Sequence, residues 1–242
     1  MYKVIDKANS CLKNYDIKAT EFLNPFEVKN AIDILNSESD LKYKVDGGYE
    51  NAERQLIYIF PYYIEEDDVE SDLRVIQIEG NFKFKAISHR DYLGAILNLG
   101  IDRSKIGDIF IGENVAYIYV ITGISDYIIN NFTKVKHTLI SCKIADDEIE
   151  NVRPNLKEIK GTIGNIRLDS IISLAFNKSR SSIVSYIEEK KVFVNGKIIT
   201  SNGYSIKEND IISVRGLGRV IYNRQISVTK KGKNLVSVSI YC

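Results

Sequence analysis

His89-Arg90-Asp91 spells the tripeptide that opens the catalytic loop of protein kinases, where the aspartate takes the proton of the attacking hydroxyl. That chemistry needs partners: an Asn five residues after the Asp, a glycine-rich loop followed by Val-Ala-x-Lys, and an Asp-Phe-Gly metal site. Ile96 stands where the Asn must be, and the other motifs do not occur in the 242 residues. A kinase is excluded on every part. Arg215-Gly216-Leu217-Gly218-Arg219 lacks the third glycine and the strand-to-helix setting of a dinucleotide fingerprint. Cys11, Cys142 and Cys242 are far apart with no C-x-x-C pair, and His89 and His137 have no Cys or second His at ligand spacing. Neither a metal nor a cofactor is expected. No Ser, His and acid constellation can be assembled, so the chain reads as not an enzyme.

What the residue types do offer is charge. Residues 1–150 carry 17 Lys and Arg against 26 Asp and Glu, a net −9, whereas residues 151–242 carry 16 against 6, a net +10. A basic carboxy-terminal part is the footprint of a polyanion partner, because each phosphate neutralised releases a condensed counterion. A solvated basic surface is the alternative that composition leaves open. With 44% hydrophobic residues the chain can bury a sizeable core. The longest apolar run, 115–121, is far below the roughly 18 to 20 residues a membrane helix needs. The amino terminus mixes charges through any apolar segment, unlike a secretory signal, so the cytoplasm is the expected compartment.

Three groups of elements must position these charges. In residues 1–70, Asn24 caps a helix with Pro25 at its first position and Glu27 three residues after the cap, and the run 56–60 is a short strand stopped by Pro61. The acidic stretch 65–68 reads as a solvated linker. Residues 71–150 follow the order β-α-β-β-α-β: a strand at 73–79, a helix from Ser88 to Leu99, two strands around a Gly112-Glu113-Asn114 turn, a helix at 125–132 and a strand at 135–144. That order is the ferredoxin-like sandwich of RRM domains. Tyr117 and Tyr119 share one strand face and could stack bases, although the basic, glycine-rich part of the RRM signature is missing. The stretch 158–166, with two glycines, reads as a linker. A helix at 168–175, a turn at 177–179, a second helix capped by Ser179, and strands at 191–197 and 210–214 complete the chain.

The last pattern, Arg-Leu-Asp, Ser-Arg, an apolar helix, Val-x-Val-Asn-Gly-Lys and Asn-Asp-Ile-Ile, resembles the S-four RNA-binding domain. Many such domains have Gly before the Val-x-Val strand, where this chain has Lys190-Lys191. Arg167-Leu168-Asp169 is also shared with pseudouridine synthases, but the Thr-x-Gly-Leu that follows their catalytic Asp is replaced by "SIISLAF". Together with "TEFLNPFE" at 20–27, "GGYENAERQ" at 47–55, "SHRDYLGAILNLGIDRSKIGDI" at 88–109 and "ISVRGLGRV" near the end, the whole chain is similar to the YlmH-type family, relatives of the photosystem II S-four domain proteins.

The resemblance implies an α+β chain: a small mixed N-terminal domain at 1–70, an RRM-like domain at 71–150, and an S-four domain at 160–242 with a terminal β-hairpin. It implies a non-enzymatic factor, expected to be a monomer, that binds rRNA and tRNA on the large ribosomal subunit blocked by peptidyl-tRNA. Assembly or cell division, with the acidic half as a protein-interaction module, is the other reading. The implied RNA contacts are Arg167, Lys178, Ser179, Arg180, Lys190, Lys191, Asn195 and Lys197, with an ion pair to Asp169 as the alternative for Arg167. Beside that module, Arg215 and Arg219 around the two glycines, and Lys230, Lys231 and Lys233 at the hairpin tip, are expected to reach RNA. His89 and Arg90, with Tyr117 and Tyr119, form a candidate secondary surface for RNA or a partner.

Overall fold

Leu56–Pro61 is buried at every position, which a strand achieves only when both of its faces are covered. The computed structural model describes residues 2–50, 52–80, 87–112, 115–145 and 156–241, and contacts divide the chain into two units, Met1–Arg153 and Pro154–Cys242.

The first unit begins with α1 (Tyr2–Asn14), β1 (Lys18–Ala19), α2 (Pro25–Leu35), β2 (Leu41–Asp46) and β3 (Leu56–Pro61), an antiparallel sheet in the order β1-β3-β2. Ile57 and Ile59 of β3 pack on Val4, Ala8 and Cys11 of α1 and Val28, Ala31 and Leu35 of α2. Asn24 caps α2 as expected: its side chain accepts from Glu27 N at 3.0 Å while its own N–H donates to Glu27 Oε2 at 2.8 Å. β2 was not expected, although Leu41-Lys42-Tyr43-Lys44-Val45-Asp46 alternates apolar and polar residues at every position, the period-2 signal of a half-buried strand.

The rest of the unit is β4 (Leu73–Gly80), α3 (His89–Leu97), β5 (Ile106–Ile111), β6 (Val115–Ile121), α4 (Ser125–Asn131), β7 (Lys134–Val135) and β8 (Thr138–Ile144). Sheet order β5-β6-β4-β8-β7, with antiparallel neighbours, is the split βαβ arrangement. The expected turn residues Glu113 and Asn114 lie outside the described residues. Ile76, Ile78, Ile118 and Val120 bury one face against Tyr92 and Ile96 of α3 and Ile128 of α4. The opposite face, with Val75 and Tyr119, packs on Leu56, Tyr58 and Phe60 of the first sheet. The unit is therefore four layers deep: helices, sheet, sheet, helices.

A buried carboxylate fastens the inner layers. Asp108, on β5 and 4% exposed, accepts from Tyr49 Oη at 2.5 Å and Glu53 N at 2.8 Å. The adjacent Arg54 reaches the carbonyls of Ile106 at 3.0 Å and Phe22 at 2.8 Å. The loop between β2 and β3 is thus stitched to the second sheet by both its main chain and its guanidinium.

The second unit comprises β9 (Leu156–Ile163), α5 (Leu168–Phe176), α6 (Arg180–Glu188), β10 (Val192–Val194), β11 (Lys197–Ile198), β12 (Ile211–Val214), β13 (Gly218–Val228) and β14 (Asn234–Tyr241). They form a six-stranded sheet, β11-β10-β12-β13-β14-β9. The expected linker is a correction: residues 156–163 are an edge strand paired along their whole length with β14. Its glycine is a packing residue, since a Cβ at Gly161 would stand 2.2 Å from Leu174 Cδ1 of α5. Helices α5 and α6 bury Leu168, Ile171, Ile172, Ala175, Ile183 and Ile187 against Val192, Ile212, Val220, Val236 and Val238. Among the described residues, no helix is long and apolar enough to cross a membrane.

Two outcomes follow from the first unit. Asp108→Ala removes a buried acceptor shared by the Tyr49 hydroxyl and the Glu53 N–H, so urea unfolding should show a loss of about 3 kcal/mol, with the carbonyl-bound Arg54 side chain unable to compensate. Asp91 accepts from Ser88 N at 2.8 Å and Ser88 Oγ at 2.6 Å and pairs with Lys136 Nζ at 2.7 Å. Lys136, then Ser88, pull its carboxyl down to about 2. A depressed carboxylate contributes fully above its unfolded value and loses that contribution as pH falls through about 2. NMR titration should find the midpoint there, and Lys136→Ala should return it toward the ordinary carboxylate range.

Candidate nucleic-acid interface

α5 ends because Asn177 takes the left-handed conformation, at φ 50° and ψ 48°. Ser179 then caps α6, accepting from Ser182 N at 3.2 Å. The turn between them presents Lys178, Ser179 and Arg180, all exposed. Arg180 occupies the first helical position, where the macrodipole disfavours a cation. Its Nη2 donates to Ser170 Oγ at 2.7 Å, and Ser170 N donates to Asp169 Oδ1 at 2.9 Å. The buried Asp169 faces Arg167, whose Nε and Nη2 lie 3.2 and 3.3 Å from its two oxygens. One network thus holds both arginines, and the ion-pair alternative for Arg167 is the one observed. The guanidinium is part-exposed and engaged with Asp169 at the start of α5.

At the other end of α6, Lys190 N donates to Ile187 O at 3.1 Å and Lys191 N to Tyr186 O at 2.9 Å, the two bonds of a Schellman cap. Lys190 fills the left-handed position itself, at φ 57°. The turn that the resemblance assigns to Gly is therefore intact but strained. Lys191 pairs with Glu189 and lies 5.7 Å from the Tyr186 ring centroid; the Glu189 carboxylate raises its pKa. Asn195, at φ 48°, and Gly196 form the two-residue turn between β10 and β11. Both ends of the Asn195 amide are used, Nδ2 donating to Asp210 Oδ1 at 2.8 Å and Oδ1 accepting from Ile211 N at 2.9 Å. The exposed Asn195 therefore also braces the hairpin. Lys197 beside it is exposed.

The arginines around the glycines rest on aromatic rings. Gly216 and Gly218, at φ 89° and 128°, shape the β12–β13 turn, while the guanidiniums lie back on the sheet: Arg215 is 4.9 Å from the Phe193 ring centroid and Arg219 is 5.2 Å from that of Tyr241. Phe193 and Tyr241 escaped sequence reasoning, since only strand register shows which ring meets which cation. At the hairpin tip, Lys230, Lys231 and Lys233 are exposed. The tip is held by Thr229 N to Lys233 O at 2.7 Å and Lys233 N to Thr229 Oγ1 at 3.0 Å.

In the first unit, Arg90 is exposed and His89 half-exposed on the first turn of α3. Tyr119 is 1% exposed, lying 5.3 Å from the Tyr49 ring and 5.8 Å from that of Phe110. Burial pushes its hydroxyl up to about 12. Tyr117 is half-buried against the same cluster. Base stacking on Tyr119 is thus corrected: the first sheet covers the face an RRM would leave open.

A helix-turn-helix seated on an antiparallel sheet, with exposed cations at its turns and a separate ferredoxin-like sandwich before it, defines an RNA-binding protein of the S4 class. Residues 166–212 match the S4 domain, 65–149 match the putative RNA-binding domain in YlmH, and 1–64 match the YlmH N-terminal domain. The chain belongs to the YlmH family. It is 28% identical over 222 residues, 91% of this chain and 86% of the relative, to the ribosome-associated protein quality control protein P2 of Bacillus subtilis (strain 168). It is also similar in fold to the cell division protein ylmH from Streptococcus pneumoniae, with a TM-score of 0.53 and 22% identity, covering 63% of this chain and 92% of that one.

The strained cap separates stability from recognition. Lys190→Gly relieves a left-handed residue and should raise the stability of the second unit by about 1 kcal/mol in urea unfolding. If the ammonium also meets a phosphate, the same variant should bind RNA more weakly, so stability and affinity move in opposite directions.

Proposed function

We propose that this chain is a non-catalytic RNA-binding factor that engages rRNA and tRNA on the large ribosomal subunit, in quality control of subunits stalled with peptidyl-tRNA. The observation that carries the reading is the α5–α6 turn. Lys178 and Arg180 stand at the positive end of a helix dipole, an unfavourable place for cations unless an anion completes the site, and the N–H groups there suit a phosphate. The S4 match and the name of the Bacillus subtilis relative support the same partner. Arg167 and Asp169 act behind this surface by holding Ser170 and, through it, Arg180. Lys190, Lys197 and the hairpin lysines extend it.

A second reading rests on the net −9 of residues 1–150 and the exposed acidic run 65–68, which suit a protein partner in assembly or cell division. Sedimentation of lysates separates the two. An RNA-bound factor travels with large subunits at low salt and leaves them in high salt or after nuclease treatment, whereas a protein-tethered adaptor stays. Arg180→Ala and Lys230→Ala should each weaken binding to large subunits and lower the slope of log affinity against log salt by about 1. Equal binding at two salt concentrations would remove these residues from the interface.

A further inference from the structure

We propose that the face of the six-stranded sheet turned away from α5 and α6 is a second RNA surface, which takes a single-stranded segment by stacking on Phe193 and Tyr241. The inference rests on the RNA-binding reading above and adds to it the opposite side of the same unit.

Strand register defines the surface. Residues directly paired across a sheet point to the same side. Ile198 pairs with Phe193, Phe193 with Ser213, Ser213 with Arg219, and Tyr241 with Leu156. Val220 pairs with Ile240, which sets Arg219 opposite Tyr241. One row therefore crosses all six strands from β11 to β9. Its sequence neighbours Val192, Val194, Ile212, Val214 and Val220 are buried toward the helices, so the row itself faces outward. Phe193, Ser213, Arg219 and Tyr241 are half-exposed, and Ile198 and Leu156 are 47% and 41% exposed.

The chemistry of the row is that of a nucleic-acid strand. Phe193 and Tyr241 sit three strand spacings apart, about 14 Å, with a serine and a guanidinium between them. Each ring carries a guanidinium, Arg215 on Phe193 and Arg219 on Tyr241. Planar rings and planar cations both stack on bases, and the same cations meet phosphates. The charge is complementary: Arg224 and Lys160 add to the two arginines, and Glu158, the acid among them, is bound to Ser237 Oγ at 2.6 Å and lies 3.6 Å from Lys160. A protein partner would be served better by an apolar centre than by a serine and an arginine.

The chain has no tryptophan, so Phe193→Trp installs a single reporter in the row. The probes are a labelled oligouridylate of about a dozen nucleotides and a labelled structured rRNA hairpin, each followed by anisotropy on the full chain. Saturating unlabelled oligouridylate should quench the Trp emission by roughly half or more. The double variant Phe193→Leu, Tyr241→Leu, which keeps apolar bulk, should weaken oligouridylate binding about tenfold or more while hairpin affinity stays within about twofold. Arg180→Ala should do the reverse. Unchanged emission when anisotropy shows the oligouridylate bound, or equal oligouridylate affinity in the double variant, overturns the second surface and leaves the hairpin reading standing. Hairpin and oligouridylate both unbound would overturn the two together. Emission that shifts with protein concentration alone would assign the face to a second copy of the chain instead.

Discussion

A sheet has two faces, and every apolar residue on either must be covered or must meet something else. The two units of this chain answer that constraint differently. In the first, β3 is buried at all six positions because helices cover one side and the ferredoxin-like sheet covers the other. The second sheet has consequently lost its open face: the strand that would display aromatic rings to a base instead places Tyr119 beneath Tyr49 and Phe110. In the second unit the helices cover one face only, and the other keeps half-exposed rings with guanidiniums laid over them. The same kind of strand surface is core in one place and open in the other, according to what packs on it.

Closing two sheets on each other brings polar main chain into the seam, and Asp108 is the answer to that cost. An unpaired buried donor costs of order 1–3 kcal/mol, and this carboxylate satisfies a hydroxyl and an amide from one loop. Arg54 does the converse, offering its guanidinium to carbonyls of Phe22 and Ile106. Burial lowers its pKa, and the nearby Asp108 charge works against that shift. The stretch 47–55 is therefore tied to the seam by structure, and its charges are consumed there.

Local signals were the most legible part of the sequence. Asn24, Ser88 and Ser179 start helices where their side chains say they should, because capping depends on atoms within four residues. The β-α-β-β-α-β order emerged from periodicity for the same reason. Pairing over long distances was not legible. The stretch 156–163 looks like a linker because its glycines and lysines are weak strand formers, yet β14, more than seventy residues away in sequence, makes it a strand. Tyr117 and Tyr119 were correctly placed on one face, but which layer covers that face is not written in their own strand. Among the candidate cations the distinction is similar. Lys178, Arg180 and Lys197 are exposed, while Arg167 has the Asp169 partner two residues away that spacing left as an alternative, and Asn195 has one fifteen residues away that spacing did not suggest.

Composition concentrates positive charge in residues 151–242, and local structure decides how each cation is held. A net +10 over residues 151–242 would attract RNA from any direction if it were spread evenly. It is held instead in sites of different character. At the α5–α6 turn, a cation is fixed at a helix start by a serine hydroxyl, and an acid in turn accepts from that serine's main-chain N–H and hydroxyl, a geometry suited to one phosphate at one distance. On the sheet, guanidiniums lie flat on rings, which spreads their charge over a plane and suits bases more than a single oxygen. At the hairpin tip, three lysines on a short turn are exposed, with the reach and freedom of point charges. Equal charges thus differ in what they can recognise, because the side chain's partner within the fold sets whether a cation orients, stacks or searches.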